Sequence, residues 1–588
     1  MSQPSSRFRR VPSVALLLGM LALLAAPGTF GASRAPGYGP KGMVVSSSLD
    51  AAEAGASILA AGGNAIDAAV ATAFAVGVTQ PYSAGIGGGG FLLIRLASGE
   101  VLAVDARETA PAAATRDMYV AEGVPERASL WGALAVATPG LVAGLVEVQK
   151  KYGTLPLAQV MAPAIALAEE GFALGPRSAA MINRMSRALS AETFPETARV
   201  QFPAPSEQAE AGDRLVQKDL AGSLRSIAEK GAPVFYGGPL GEKIAAEVQR
   251  RGGILTAEDL ANYRVAWRKP VSGSYRGVEV HSFPPPSSGG VALLEMLNIV
   301  EGFELAPRGA GSSASLHVIA EAMKLAFADR AAYLGDTDFV EVPVERLISK
   351  AYGKKQRSRV NPGRFQASPW SFDCRDAVAE VEAPGLPADD AGTTHLSVTD
   401  ALGNAVAITL TINTPYGSGI TVPGTGIVLN NEMDDFSVAP DTPNAYGLVD
   451  TRGANAVAPL KRPLSSMTPT ILLKNGRPFM VTGSPGGPRI ITTVLLTILN
   501  VIDYGMNVEQ AVSAPRFHHQ WIPDTLTVEP ATTADVVASL RSCGHPVELS
   551  PRNWSAAEAI VIDPSTGWHL GGSDPRTDGG AIGNPKIP

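Results

Sequence analysis

The chain has 588 residues, of which 45% are hydrophobic and 18% are charged, and its formal net charge is −7 at pH 7. This length is sufficient for a large buried core, and the acidic balance argues against the strongly basic surface of a nucleic-acid-binding protein. The charge is also too small to indicate an acidic or basic partner, so the motifs along the chain have to identify the function.

The first 32 residues are predicted to be a secretory signal peptide. Arg7, Arg9 and Arg10 form a positive segment, and a 13-residue apolar run follows at 14–26. A transmembrane helix needs about 20 apolar residues, so a cleaved signal is favoured over an uncleaved membrane anchor. Because no later run reaches that length, we expect an exported protein, periplasmic or secreted, with no stable membrane span.

Two Ala-rich helices are predicted between residues 47 and 80. Asp50 is the expected N-cap of the first, with Glu53 three residues later, and the segment 62–64 (Gly-Gly-Asn) ends it. Further helical periodicity covers 139–152, 156–170, 239–251, 290–302, 313–334, 490–503 and 507–513. Strand-like runs cover 90–107, 277–283, 394–399, 405–412, 426–430, 470–474 and 478–483.

This order of elements predicts an α/β (α+β) fold in layers. Helices and strands alternate without a regular βαβ period, which favours largely antiparallel sheets. The sharpest change of composition is the acidic, Pro-containing tract 373–392, predicted to be a solvated loop. A new structured unit is expected to begin at Thr393. Cys374 and Cys543 are the only cysteines, and both one disulfide and two separate thiols remain open.

A β-hairpin is predicted with its turn centred on Leu402. Counting outward from that turn places Thr393 opposite Thr411 and His395 opposite Thr409. Directly opposed Cβ atoms lie about 4.5–5.5 Å apart, so the Thr411 hydroxyl is expected within reach of Thr393. Threonine is also a good strand residue, and on pattern alone these positions are compatible with a purely structural role.

One chemistry uses these residues in this order. An N-terminal threonine attacks with its hydroxyl and uses its own α-amine as the base. Thr393 has no free amine until the bond before it is cut. Gly392 leaves its carbonyl open to the Thr393 hydroxyl, and hydrolysis of the resulting ester would make Thr393 a new N-terminus. The residues therefore predict self-cleavage between Gly392 and Thr393.

Nine blocks of the sequence resemble those of the γ-glutamyltranspeptidases, which belong to the self-processing N-terminal nucleophile hydrolase superfamily. In chain order the blocks are AGGNAIDAAVA, SAGIGGGGF, VDARETAP, FPPPSSGG, TTHLSVTD, NNEMDDF, KRPLSSMTPT, VTGSPGGPRIITT and APRFHHQW. The resemblance implies a four-layer αββα sandwich of the N-terminal nucleophile hydrolase type. It also implies a large subunit (33–392) and a small subunit (393–588) from one precursor, with no cofactor.

The resemblance implies catalytic roles for four residues. Thr393 matches the nucleophile, and Thr411 matches the threonine that assists it, in agreement with the predicted hairpin. Gly486 and Gly487 match the pair whose backbone N–H groups stabilise the oxyanion. Read alone, the surrounding SPGG sequence is also typical of a tight turn.

The resemblance also implies how the substrate is held. The glutamyl end carries a carboxylate and an ammonium, so its site needs fixed groups of opposite charge. The residues that match the family's carboxylate site are Arg107, Ser465 and Ser466. The residues that match its amine site are Asn413, Glu432 and Asp435. Tyr446 matches the residue of the lid loop, 440–450, that closes over the substrate and limits water.

The implied activity is transfer of a γ-glutamyl group from glutathione or a related amide to water, an amino acid or a peptide. A cephalosporin-type acylase on the same scaffold is one alternative, but its glutaryl substrate lacks the α-amine that Asn413, Glu432 and Asp435 would hold. An unprocessed, exported solute-binding protein is another, and the intact Thr393 and Thr411 argue against it. Arg107 beside Glu108 also has a simpler interpretation, as a surface ion pair.

Two further motifs are given structural interpretations. The segment 85–90 satisfies G-x-G-x-x-G, and Asp105 follows at a suitable distance, but a helix precedes the motif and a strand follows it. Dinucleotide binding needs the reverse order, so it is not expected. His518 and His519 are adjacent and their side chains should diverge, so packing is favoured over metal binding, and no metal site is expected.

Overall fold

The computed structural model describes residues 34–203, 207–365, 392–438 and 442–585. The predicted signal peptide, most of the acidic tract, Cys374 with any pairing to Cys543, and lid residues 440 and 441 lie outside these ranges. From Ala35 onward the chain forms one unit. No helix in the described ranges combines the length and the apolar character needed to cross a bilayer.

Two seven-stranded sheets form the centre of the protein. The strands are β1 (Gly37–Gly39), β2 (Gly42–Ser46), β3 (Gly89–Arg95), β4 (Val101–Ala106), β5 (Phe172–Ala173), β6 (Arg214–Leu215), β7 (Ala266–Arg268), β8 (Val271–Tyr275), β9 (Val278–Ser282), β10 (Thr393–Asp400), β11 (Ala405–Thr411), β12 (Thr421–Val422), β13 (Ile427–Val428), β14 (Thr470–Lys474), β15 (Arg477–Gly483), β16 (Phe517–His518), β17 (Leu526–Val528), β18 (Val547–Leu549), β19 (Glu558–Ile562), β20 (His569–Ser573) and β21 (Gly580–Gly583). One sheet has the order β1-β20-β19-β15-β14-β9-β8 and the other β21-β2-β10-β11-β3-β4-β7.

Helices cover the outer faces of these sheets. They are α1 (Leu49–Ala60), α2 (Ala65–Thr79), α3 (Leu141–Tyr152), α4 (Leu157–Glu170), α5 (Pro176–Ala188), α6 (Pro195–Gln201), α7 (Lys218–Lys230), α8 (Pro233–Tyr236), α9 (Pro239–Arg250), α10 (Ala257–Asn262), α11 (Gly289–Val300), α12 (Ser313–Tyr333), α13 (Val344–Leu347), α14 (Lys350–Arg357), α15 (Arg489–Ile502), α16 (Val508–Ser513) and α17 (Ala534–Ser542). The helices predicted from periodicity are all present, and their ends agree within two residues.

The alternation of side chains along the strands builds the layers. Phe91 and Leu93 on β3 point between the two sheets, where the Phe91 ring stacks on Phe283 with 4.1 Å between ring centroids. Leu92 and Ile94, on the opposite face of β3, pack with α1–α4 in a separate core. A third core joins the other sheet to α11, α12 and α15. The arrangement is helices, sheet, sheet, helices, which confirms the predicted αββα sandwich.

The predicted hairpin is observed with the predicted register. β10 and β11 are antiparallel, with Thr393 opposite Thr411 and His395 opposite Thr409. All eight residues of β10 are buried, because β2 pairs along its other edge and the sheet is covered on both faces. The predicted strand at 426–430 is shorter than expected, because Leu429 and Asn430 leave it to bond with Ile420 and Gly87.

One predicted helix cap is wrong. The N-cap of α1 is Ser48, whose hydroxyl accepts from the N–H of Ala51, and Asp50 lies inside the first turn. Both residue types can cap a helix, and a sequence pattern does not distinguish two candidates that are two positions apart. Asn64 does more than end α1: it caps α2 in a capping box with Asp67.

Segments from both sides of the Gly392–Thr393 bond interleave in both sheets. β10 and β11 lie between β2 and β3, and β14 and β15 lie between β9 and β19. Neither part of the chain has a complete sheet of its own. If the bond were cut, the two parts would still share both sheets and all the hydrogen bonds between those strands.

Candidate active site

The predicted nucleophile is the first residue of β10, opposite the last residue of β11. Thr393 Oγ1 lies 2.9 Å from Thr411 Oγ1, which in turn lies 2.7 Å from the carbonyl oxygen of Gly392. The N–H of Asn413 donates to the same Thr411 oxygen at 2.8 Å. Because Thr411 gives its only hydroxyl proton to Gly392, Thr393 donates its own proton to Thr411. The nucleophile is thus linked through Thr411 to the carbonyl that precedes it.

The carbonyl oxygen of Gly392 accepts a second hydrogen bond, from the N–H of Ile412 at 3.3 Å. Two donors on one carbonyl oxygen polarise the C=O bond and match the negative charge that develops there during an addition step. Gly392 also has no space for a side chain, because a Cβ would overlap the carbonyl of Asn413 and the Cα of Thr414. This packing therefore requires glycine before Thr393.

Arg107 directly follows β4 and is completely buried. Its guanidinium forms ion pairs with Glu432 and Asp435, and its Nε donates to the carbonyl of Pro463 at 3.2 Å. Glu108 Oε2 lies 3.6 Å from Arg107 Nη1. Because Glu108 is also 0% exposed, the interpretation of these two residues as a surface ion pair is wrong.

The charges of this cluster do not balance. Burial raises the pKa of the Glu108 carboxyl to about 7, against the opposing effect of Arg107. Burial, together with the nearby Glu108 and Asp435 charges, raises the pKa of Glu432 well above its ordinary value. Burial also raises the pKa of Asp435, although Arg107 acts in the other direction. Three carboxylates share the Arg107 guanidinium, and Arg330 also acts on Asp435, so negative groups still outnumber positive ones and the raised pKa values favour protons that an added ammonium group would displace.

One cavity brings most of the predicted residues together. Its lining includes Arg107, Thr393, Thr411, Asn413, Glu432, Asp435, Tyr446, Ser465, Ser466 and Gly487. Gly392 and Gly486 do not line it, but each is bonded to a residue that does. Residues that are up to 380 positions apart in the chain therefore converge on one space beside the Thr393 hydroxyl.

The two serines differ in what they already bind. Ser465 Oγ accepts from the N–H of Met467 at 3.1 Å, and the Ser465 N–H donates to the carbonyl of Pro286 at 2.8 Å. Ser466 Oγ is buried and has no hydrogen-bond partner among the described residues. Leaving a buried hydroxyl without a partner costs about 1–3 kcal/mol, so a ligand oxygen here would be stabilised.

Tyr446 closes one side of the cavity. Its hydroxyl donates to the carbonyl of Asn413 at 2.7 Å, and the residue is 7% exposed. Gly487 lies against the ring with φ +53°, and a Cβ there would be 2.5 Å from Tyr446 Cδ1. Glycine is needed at this position for both its backbone conformation and the close approach.

Sequence reasoning missed the carboxylate that holds the segment next to Tyr446. Asp434 accepts from the Ser129 hydroxyl at 2.7 Å and from the N–H of Ala445, next to Tyr446, at 3.0 Å. Burial raises the pKa of this carboxyl to about 6. Asp434 lies in the same acidic motif as Glu432 and Asp435, and that motif was the only available signal.

Neither of the two motifs with structural interpretations lines this cavity, although Gly89 of the first pairs with Thr411. The segment 85–90 follows α2 and leads into β3, the reverse of a dinucleotide-binding order. His518 bonds to Thr492 at 2.9 Å and Gln520 at 3.0 Å, whereas His519 Nε2 faces Asp524 at 3.1 Å. The adjacent histidines therefore diverge, as their position in the chain indicated.

Comparisons with known proteins identify the family of the chain. A family profile described as gamma-glutamyltranspeptidase matches residues 51–584. The glutathione hydrolase proenzyme of Escherichia coli (strain K12) is 46% identical, over 97% of this chain and 97% of its own. The acylase ACY 1 proenzyme of Pseudomonas sp. (strain SE83) is 40% identical, over 94% of this chain and 95% of its own.

A solved structure shares the complete architecture. The cephalosporin acylase from Bacillus halodurans superposes with a TM-score of 0.82 at 34% identity, and the match covers 95% of this chain and 99% of that one. The profile and the near-complete coverage of the relatives lead to one conclusion. This chain belongs to the γ-glutamyltranspeptidase family.

Proposed function

We propose that this protein is a self-processing glutathione hydrolase and γ-glutamyltransferase. It cleaves its own Gly392–Thr393 bond and then uses Thr393 to take the γ-glutamyl group from glutathione and related amides. Water or the amine of an amino acid or dipeptide receives that group. The observation that carries the proposal is the Gly392 carbonyl oxygen, which accepts from Thr411 and Ile412 beside the Thr393 hydroxyl.

Self-cleavage begins when Thr393 Oγ1 attacks the carbonyl carbon of Gly392. The Thr393 proton passes to Thr411 Oγ1 while Thr411 passes its own proton toward the Gly392 oxygen, to which the Ile412 N–H also donates. The C–N bond then breaks, its nitrogen takes a proton, and the chain continues through an ester at Thr393. Water hydrolyses the ester, which leaves Gly392 as a carboxyl terminus and Thr393 with a free α-amine.

The mature enzyme repeats this chemistry on its substrate. The α-amine of Thr393 serves as the base, because an α-amino group titrates near pH 7.7–8.0 and is partly neutral at neutral pH. The Thr393 hydroxyl attacks the γ-carbonyl of the substrate, and the released amine takes the proton. Gly486 and Gly487, which precede α15, supply the backbone N–H groups for the oxyanion. An acceptor amine or water then attacks the γ-glutamyl ester and frees Thr393.

Charge supports the choice of a γ-glutamyl group. The substrate's α-carboxylate would bind Arg107, Ser465 and Ser466, and its ammonium would bind Glu432 and Asp435. The ion pairs of Arg107 with Glu432 and Asp435 would then be exchanged for pairs with the zwitterion, so no buried charge loses its partner. Asn413 adds an amide beside the ammonium, and Ser466 contributes the hydroxyl that has no partner among the described residues.

The same argument separates this function from that of the related acylases. A glutaryl group has hydrogen where the glutamyl group has its ammonium. The glutaryl carboxylate would pair with Arg107 and break its ion pairs with Glu432 and Asp435. The glutaryl group has no ammonium to pair with those two carboxylates. Like charges left together in a buried site are costly, so the site favours the γ-glutamyl substrate.

Two subunits and export complete the proposal. The large subunit would run from about residue 33 to Gly392 and the small subunit from Thr393 to the end of the chain, held together by their interleaved strands. Residues 1–32 would direct export, and cell fractionation with N-terminal sequencing of the large subunit tests that assignment.

Intact mass and N-terminal sequencing of the purified protein test self-cleavage directly. We expect two fragments, with the smaller one beginning Thr-Thr-His, and a Thr393→Ala variant that remains one chain. A γ-glutamyl anilide measures turnover in the same preparation. A full-length, uncleaved and fully active wild-type chain would refute the use of Thr393 as an N-terminal nucleophile.

A further inference from the structure

A buried cluster remote in sequence from the catalytic residues has the composition of a transition-metal site. His317 and Glu321 are four residues apart on α12, so they share one face of that helix. His545 follows α17 and reaches the same point. One ligand atom of each of these three side chains lies within 4.8 Å of the others, and all three residues are buried. None of them lines the cavity beside Thr393.

The hydrogen bonds define which nitrogen of His317 is available. His317 Nε2 lies 2.7 Å from the backbone carbonyl oxygen of Asn361. A carbonyl oxygen only accepts, so Nε2 carries the proton and Nδ1 presents a lone pair. That Nδ1 points at His545 Nε2, at 2.7 Å. A metal-binding histidine is oriented in this way, with its other ring nitrogen donating to a carbonyl or carboxylate.

His545 supplies a second, independent observation. Its Nδ1 atom is buried and has no hydrogen-bond partner among the described residues. Because His317 Nδ1 accepts, His545 Nε2 donates the 2.7 Å hydrogen bond, and His545 Nδ1 is left with the lone pair of that ring. Neutral imidazole is the form that binds metals. A cation between His317 Nδ1 and His545 Nε2 would take the place of the proton that the two nitrogens now share, and that proton would move to His545 Nδ1.

The charged neighbours are compatible with such a cation. Lys324 Nζ lies 3.2 Å from Glu321 Oε1 and 3.7 Å from Asp524 Oδ1, and it lies over the Phe365 ring at 4.1 Å. His519 Nε2 is 3.1 Å from the same Asp524 oxygen. The charged groups near the cluster are thus two carboxylates, Glu321 and Asp524, and two cations, Lys324 and Arg308. The Asp524 side chain is 26% exposed, which offers an access route from solvent.

We propose that His317, Glu321 and His545 bind one divalent transition-metal ion, with Zn²⁺ the best fit. Two imidazole nitrogens and one carboxylate oxygen suit tetrahedral zinc, with ligand distances of about 2.0–2.2 Å and water as the fourth ligand. Tetrahedral ligands at those distances are about 3.3 Å apart, so the two rings need to separate by less than 1 Å from their present contact. No sequence motif indicated this site, because His545 lies 228 positions from His317.

The site would connect the two parts of the chain. His317 and Glu321 precede the Gly392–Thr393 bond, and His545 follows it. A bound ion would therefore add a link between the parts that does not depend on any strand of the two sheets. It would stabilise the protein in the bound form without taking part in γ-glutamyl transfer.

Calorimetric titration of Zn²⁺ into untagged, chelator-treated protein tests the proposal. We expect one equivalent of Zn²⁺ to bind. His317→Gln and His545→Gln should each lower the zinc affinity by more than about 100-fold, which exceeds the loss caused by mutating a residue that only hydrogen-bonds to a ligand. His281→Gln is the matched control, because that histidine lies on β9 beside Ser272, in another part of the protein. Its zinc affinity should equal that of wild type.

Two further measurements keep the test decisive. Co²⁺ should give the intense visible absorption of a tetrahedral site in wild type, and Glu321→Gln should reduce or shift that spectrum. Zn²⁺ should also raise the melting temperature of wild type but not of His545→Gln, and γ-glutamyl anilide turnover at ambient temperature shows that each variant is folded. The proposal would be overturned if His317→Gln and His545→Gln both bound Zn²⁺ with the affinity of wild type. It would also be overturned if folded wild type bound no Zn²⁺ at about 100 μM.

Discussion

Replacing Thr411 with valine should block self-cleavage while leaving the fold in place. Valine has nearly the shape of threonine, so the strand pairing of β11 is kept and only the hydroxyl is lost. That hydroxyl donates to the Gly392 carbonyl at 2.7 Å and contacts Thr393 Oγ1 at 2.9 Å. The substitution therefore removes one of the two oxyanion donors and the group that receives the Thr393 proton.

The size of the effect follows from these contacts. Loss of one oxyanion donor typically slows a reaction by about 100- to 1000-fold, which corresponds to about 2.7–4 kcal/mol. The Asn413 N–H also loses its acceptor, and a buried unpaired donor costs about 1–3 kcal/mol of stability. We therefore expect a slowly cleaved precursor with a lower melting temperature, and Thr411→Ser should retain most of the cleavage rate.

A denaturing-gel time course of freshly purified precursor measures the first-order cleavage rate. Thr409→Val is the matched control, since it removes a hydroxyl from the same strand that contacts His395 at 2.9 Å and not Gly392. Thr409→Val should cleave at nearly the wild-type rate. Cleavage of Thr411→Val within a few-fold of wild type would refute the assigned role of the Thr411 hydroxyl.

Three further predictions concern the glutamyl end of the substrate. Arg107→Ala should leave self-cleavage intact and lower kcat/KM for γ-glutamyl-p-nitroanilide by about 10- to 150-fold, because a charged hydrogen-bond partner worth about 1.5–3 kcal/mol is lost; an unchanged kcat/KM would remove Arg107 from the site. Asp435→Asn should lower kcat/KM for a γ-glutamyl anilide far more than for the matched glutaryl anilide. If the substitution lowers both equally, or if wild type prefers the glutaryl compound, the acylase assignment becomes the better one. The third prediction concerns pH, since the Glu108 carboxyl has a pKa raised to about 7 and those of Glu432 and Asp435 are also raised. An ammonium binds the ionised form, so the ratio of γ-glutamyl to glutaryl kcat/KM should rise as the pH increases through about 7, and Glu108→Gln should move that rise to lower pH. The ratio cancels the ionisation of the Thr393 α-amine, and a flat ratio between pH 6 and 9 would contradict the assignment.

The local parts of this structure were readable from the sequence. The β10–β11 register depends on one turn, and Asp400, Gly403 and Asn404 mark that turn clearly. Asp400 Oδ1 accepts from the N–H groups of Leu402 and Asn404, which holds the turn where the pattern predicted it. Helix ends marked by glycine or proline were equally readable, because those residues act through their own backbone.

Long-range relations were not readable in the same way. The sequence indicated that Arg107, Glu432 and Asp435 belong to one site, but not that they pair with one another across more than 320 positions. The direct pairing arises because buried charges need partners within the protein, and burial depends on the whole fold. The burial of Glu108 has the same origin, and so does the meeting of His317 with His545.

The interleaved strands have a consequence for how the protein assembles. While the chain is continuous, the segments before and after Gly392 find each other as parts of one molecule, at an effective concentration set by the connecting tract. Once the bond is cut, the same assembly becomes a collision between two separate chains, so refolding would slow on dilution. The uncut precursor should refold at a rate independent of protein concentration. The cut enzyme should regain little activity after thermal unfolding, so its stability would depend on a slow rate of unfolding. If maturation cuts the Gly392–Thr393 bond as proposed, that bond therefore assists the first folding of the chain and is not available to assist any later refolding.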